Sequence, residues 1–212
     1  MDVQESIDVG DAGALRRLLA EDPARANAVI AWGEGNKNVC CPLHYVCDKV
    51  FDGTLIGGAE LPLVHALIAA GADVNAQNGD PLVAAASLGA VDVAFVLLDA
   101  GARPDLLADG GETALHWAAY IGAAALVDRM LSVGAPIEVR DRRWNATPLG
   151  WALHGWGEAA VARDDARYRE VVLRLVRAGS RIDPAWRGLK HVRADAEILA
   201  ALTFDATKND AG

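Results

Sequence analysis

A short run of residues recurs down this chain at a spacing close to 33. Four segments open alike: Cys41-Pro42-Leu43-His44, Asp80-Pro81-Leu82-Val83, Thr113-Ala114-Leu115-His116 and Thr147-Pro148-Leu149-Gly150. Their leucines, at 43, 82, 115 and 149, lie 39, 33 and 34 residues apart. Four segments also close alike, on Gly71-Ala72, Gly101-Ala102, Gly134-Ala135 and Gly179-Ser180. A period of this size restricts the chain to stacked supersecondary units. Such units bury their apolar faces against one another and present a surface more often than they enclose a site.

The residues between opener and closing Gly support stacking. Counting back from each Gly by 8, 7, 4 and 3 gives Leu63, Val64, Leu67 and Ile68, then Val93, Ala94, Leu97 and Leu98. The next two sets are Leu126, Val127, Met130, Leu131 and Val171, Val172, Leu175, Val176. Those offsets share one helical face, so each unit's second helix carries an apolar stripe. A Gly just beyond the stripe is the expected left-handed helix terminator.

The segment Thr113-Ala114-Leu115-His116-Trp117-Ala118-Ala119, followed by Leu126 to Leu131 and Gly134-Ala135, resembles the ankyrin-repeat signature. The resemblance covers residues 5 to 202. It implies an all-α ankyrin-repeat solenoid of helix-turn-helix units with hairpin-like fingers and terminal caps. It also implies protein binding, with partners that vary widely across the family.

One domain over 1–204 is expected. An N-terminal cap falls at about 5–23, where Ala14, Leu15, Leu18 and Leu19 repeat the stripe, and 24–39 reads as a connector with a polar loop from Trp32 to Asn36. Repeats follow at about 40–76, 79–108, 111–141 and 145–183. A C-terminal cap covers 186–202, with Ile198, Leu199 and Leu202 on one face, and 205–212 reads as a flexible tail. From opener Leu to closing Gly is 19 residues in two repeats, but 28 from Leu43 to Gly71 and 30 from Leu149 to Gly179. The extra residues, near 51–60 and 157–167, are expected as loops between the two helices of a repeat.

Composition narrows the partner. Net charge is −9 with pI about 5.0, and no basic cluster stands out, so nucleic acid is not expected. No long apolar run suggests a membrane span or signal peptide. Three cysteines, at 40, 41 and 47, are an odd number that fits a reducing, cytoplasmic compartment. Arg greatly outnumbers Lys, which points to a bacterial source.

Repeat register gives the candidate binding face. In each first helix, the residue just after the opening tetrapeptide and the residue three further on should face a concave groove. These are Tyr45 and Asp48, Ala84 and Ser87, Trp117 and Tyr120, and Trp151 and His154. Trp144, in a finger beside Arg142 and Arg143, and Trp156 join them. Exposed aromatic side chains are preferred anchors of binding hot spots. The competing assignment is packing between repeats, expected for Trp32 and Trp186 and equally open for Trp156.

His44 and His116 hold the opener position, where the resemblance implies hydrogen bonds bridging neighbouring loops. Cys40, His44 and Cys47 at i, i+4 and i+7 have metal-like spacing, but Cys40 precedes the helix and no fourth ligand is evident. No metal, cofactor or catalytic residue is therefore assigned.

The expectation is a monomeric module binding a neutral or basic protein or peptide through an aromatic groove. The alternative is a small-molecule binder or enzyme with a pocket at the same groove, with Asp48 or His154 as general acid/base. An enclosed cavity beside His154 would favour the alternative.

Overall fold

A computed structural model describes residues 1–159 and 165–204. These residues divide into two compact units, one ending at Ala108 and the other beginning at Asp109.

The first unit stacks three helix pairs. They are α1 (Val3–Asp8) with α2 (Ala12–Glu21), α3 (Pro42–Phe51) with α4 (Glu60–Ala69), and α5 (Ala76–Ser87) with α6 (Val91–Asp99). First helices pack on first helices and second on second, which buries the stripes predicted above. Leu63, Val64, Leu67, Val93, Ala94, Leu97 and Leu98 are all core residues. The N-terminal cap is thus a complete helix pair, starting earlier than expected. Asp2 and Glu5 open it with a reciprocal capping box.

The connector also differs from the expected loop. Strands β1 (Ile30–Trp32) and β2 (Asn38–Cys40) pair antiparallel, with Trp32 opposite Asn38. The polar residues after Trp32 form the turn of a hairpin finger, so the first finger forms here.

Side-chain amides tie one repeat to the next. Asn27 donates to Gly71 O (2.9 Å) and accepts from Asp73 N (2.7 Å). Asn75 repeats this against Gly101 O and Arg103 N (3.4 and 2.8 Å). Each pair of bonds satisfies backbone groups left open where a helix ends. The insert after α3 is a loop between Phe51 and Glu60, as expected.

The second unit stacks α7 (Ala114–Tyr120) with α8 (Ala124–Ser132), α9 (Pro148–Ala159) with α10 (Asp165–Arg177), and α11 (Lys190–Ala194) with α12 (Ala196–Phe204). Leu126, Val127, Met130, Val171, Val172 and Leu175 form its core with Ile198 and Leu202. The closing glycines Gly71, Gly101, Gly134 and Gly179 all have φ between 85° and 93°, as the terminator reading requires.

The second insert is not a plain loop. It lengthens helices instead: α9 has 12 residues and α10 has 13, against 7 and 9 for α7 and α8. Gly157 and Glu158, expected in the loop, belong to α9, and Arg167 belongs to α10. Residues 160–164 of the insert and the expected tail at 205–212 lie outside the described residues.

The extra length of α9 is made possible at Gly155. A Cβ there would run into the Tyr120 carbonyl oxygen and come within 3.1 Å of the Tyr168 ring. Glycine lets α9 lie directly against the last turn of α7. That contact carries Glu158 to the aromatic residues of α7.

Candidate partner-binding site

The site in the second unit is built around Trp151. Its indole N–H donates to Asp141 Oδ2 at 3.0 Å. Asp141 is almost fully buried and also accepts the backbone N–H groups of Arg143, Trp144 and Ala146, at 2.7 to 3.0 Å. Burial works to raise the pKa of this carboxyl, but the four donors outweigh it, and the net shift is downward. Asp141 therefore stays ionised. It folds the 141–146 finger around itself and fixes the orientation of Trp151.

Further rings surround Trp151. Trp117 lies 5.0 Å away at 82°, Trp144 lies 5.2 Å away at 73°, and Tyr120 lies 6.0 Å away at 78°. These are edge-to-face arrangements, which the aromatic quadrupole favours. His116 packs behind, 5.4 Å from Trp151. It accepts the Thr113 N–H at Nδ1 and contacts Ala146 O through Nε2 at 3.3 Å, so it bridges neighbouring loops as the resemblance implied. Burial pushes its pKa down, which keeps it neutral.

Glu158 closes the site from α9. Tyr120 donates its hydroxyl to Glu158 Oε2 at 2.6 Å, and that bond raises the tyrosine pKa. His154 stacks on Tyr120 and lies 3.5 Å from the other Glu158 oxygen. Together these groups line a cavity of about 400 Å³, with Ala146 and Gly150 completing it. Trp117 and Tyr120 are half-buried, whereas Trp144 is 57% exposed.

Five of the sequence-predicted residues thus meet at one place: Trp117, Tyr120, Trp144, Trp151 and His154. Trp151 contributes mostly as a buried wall, being 6% exposed. The expectation that it faces the groove as openly as Trp117 is corrected, because its indole N–H is drawn inward to Asp141. Trp156 faces the core, not the groove. It is fully buried, with its ring 4.9 Å from that of His191.

Tyr45 and Asp48 belong to the first unit, where their surroundings are different. Tyr45 is buried, so its expected groove-facing position is also corrected. Its ring meets Trp32 at 5.1 Å and its hydroxyl donates to Asp8 Oδ1 at 2.7 Å. The α1 helix and the hairpin occupy the space that register alone leaves open. Asp48 is half-buried, 3.7 Å from His44 Nε2, and burial raises its pKa. His44 Nδ1 meets Asp80 Oδ2 at 2.6 Å, so this opener histidine bridges to the next repeat's carboxylate.

Burial pushes the thiols of Cys40, Cys41 and Cys47 well up, which makes them poor nucleophiles. Among the described residues, no cluster of three or more His, Cys, Asp or Glu is arranged to hold a metal, and no helix is long and apolar enough to cross a membrane.

Sequence reasoning missed Glu158 and Asp141. Glu158 was hidden because 157–167 reads as a loop. Asp141 had a visible signal, since an Asp ahead of a short polar segment accepts local N–H bonds and builds turns.

Comparison with known proteins agrees with this architecture. A family model described as ankyrin repeats (3 copies) matches residues 55–141 and 82–183, more than half of the chain. The chain belongs to the ankyrin-repeat family, whose members are in general non-catalytic modules for protein–protein interaction. It is also similar to the inactive serine/threonine-protein kinase TEX14 of Mus musculus, with 34% identity over 80 residues. That match takes in 38% of this chain and 5% of the mouse protein.

Proposed function

We propose that the aromatic site of the second unit is the docking face for a partner protein or peptide. One observation carries this reading: Trp117, Tyr120 and Trp144 keep aromatic surface open to solvent around the 400 Å³ cavity, on a buried Trp151–Asp141 support. Rigid aromatics held in this way lose little freedom on binding and act as anchors. The net charge of −9 favours a neutral or basic partner. The same reading takes the protein as a cytoplasmic monomer of bacterial origin.

Catalysis at this groove has less support. His154, the acid/base candidate, has a side chain 66% exposed, so water reaches it freely. Asp48, the other candidate, belongs to the first unit and is engaged with His44.

The test compares wild type with Trp117→Ala/Trp144→Ala in cross-linked capture from source-cell lysate. Neither residue is fully buried, so circular dichroism should be unchanged. Proteins captured by wild type and lost in the variant support the docking face. An identical set from both rejects it.

A further inference from the structure

The chemistry of the site's walls narrows what it takes, provided that the docking reading above holds. Trp117, Tyr120 and Trp144 stand nearly perpendicular to Trp151 at 5.0 to 6.0 Å, and the four rings line one cavity as an aromatic box. The face of an aromatic ring is its negative pole and attracts cations. Two carboxylates strengthen the effect. Asp141 accepts the Trp151 indole N–H from behind, which leaves that ring richer in electron density. Glu158 stands at the rim beside Tyr120.

Among the described residues, no lysine or arginine lines the cavity. Of the described arginines near the finger, Arg142 donates to Asp109 O and Arg140 to Asn145 O. Arg143 sits 4.7 Å from the centroid of the Trp144 ring, so this ring already holds one cation. Among the described residues, the cavity itself combines an aromatic lining with the Glu158 carboxylate.

We propose that the box receives the N-methylated ammonium of a lysine side chain on the partner protein. A plain ammonium is compact and strongly hydrated, and it leaves water reluctantly. Methyl groups spread the charge over a larger apolar surface that fits against the rings, while Glu158 balances it. Aromatic boxes are suited to quaternary ammonium groups for this reason.

The test uses the full chain and three short peptides of one sequence. One carries trimethyl-lysine, one unmodified lysine, and one the neutral isostere with carbon in place of the methylated nitrogen. Indole N–H chemical shifts of Trp117, Trp144 and Trp151 report binding. The trimethyl-lysine peptide is expected to bind about tenfold more tightly than the isostere. Glu158→Gln should narrow that ratio, and Trp117→Ala should abolish binding. Equal binding of the isostere, equal binding of the unmodified peptide, or no shift at millimolar peptide each overturns the proposal. If lysate capture still depends on Trp117 and Trp144, the docking face stands and only its cation preference falls.

Discussion

Helix α9 carries three glycines, at 150, 155 and 157, where a helix interior favours alanine by about 1 kcal/mol each. Gly155→Ala should therefore stabilise the protein if helix propensity were the whole account. The structure predicts the opposite. The new methyl would meet the Tyr120 carbonyl oxygen, a backbone atom that cannot rotate away, and the Tyr168 ring at 3.1 Å. Overpacking of this kind costs about 1–3 kcal/mol, and a backbone obstacle places it in the upper part of that range. Subtracting the propensity gain leaves a net loss of roughly 1–2 kcal/mol. For a chain of this size that lowers the melting temperature by about 3–6 °C. Gly150→Ala is the internal control. Its methyl would touch Ala146 and Trp186 at 3.4 Å, an ordinary contact, so it should raise the melting temperature slightly. Thermal unfolding followed by tryptophan fluorescence suits the comparison, because five of the six tryptophans lie beyond residue 108. A Gly155→Ala variant as stable as Gly150→Ala would refute the idea that close approach of α9 to α7 builds the site.

Other expectations follow from the hydrogen bonds and charges. Asp141 has a lowered folded pKa, so the stability it contributes is complete above its unfolded value of about 4 and is lost as pH falls through the lower folded value. Acid titration of tryptophan fluorescence should show this loss, and Asp141→Asn should be less stable at neutral pH and lack that step. Trp151→Phe keeps only a smaller ring, removes one donor to Asp141 and leaves space in a buried site, and should cost at least about 1–3 kcal/mol in denaturant unfolding. For His44, burial works to lower the pKa, but the bond to Asp80 and the charges of Asp80 and Asp48 prevail and raise it. Its contribution is full below about pH 6.5 and fades as pH rises through the higher folded value. The histidine resonances should show a midpoint above 6.5 that drops in Asp80→Asn. The three buried thiols should resist a thiol-specific reagent in the native protein and react only after unfolding.

What was legible in the sequence is what period and helical spacing encode. The four stripes, the closing glycines and the helix pairs were all readable, because an apolar face must find a neighbour. Leu126, Val127 and Met130 are buried for the same reason that their spacing revealed them. The meeting of Trp117 with Trp151 also followed from register, since equivalent positions of adjacent repeats lie side by side. Register could not say how far a ring turns inward. Tyr45 and Trp151 hold the same repeat position as half-exposed Trp117, yet both are buried, each drawn to an aspartate by its polar end. Glu158 was illegible because helix length in α9 depends on a contact made by Gly155, and tertiary contacts of that kind leave no periodic trace.

The claim that the second unit binds a protein through its aromatic site is tested most directly by site-specific photo-crosslinking. A photoreactive residue in place of exposed His154 on α9 probes the site, and one in place of exposed Val133, just past α8, serves as the control. Adducts with a discrete protein from position 154, absent from position 133 and lost when Trp117 and Trp144 are alanine, are the predicted result. The same adducts from both positions, or adducts from 154 that persist without the two tryptophans, would contradict it.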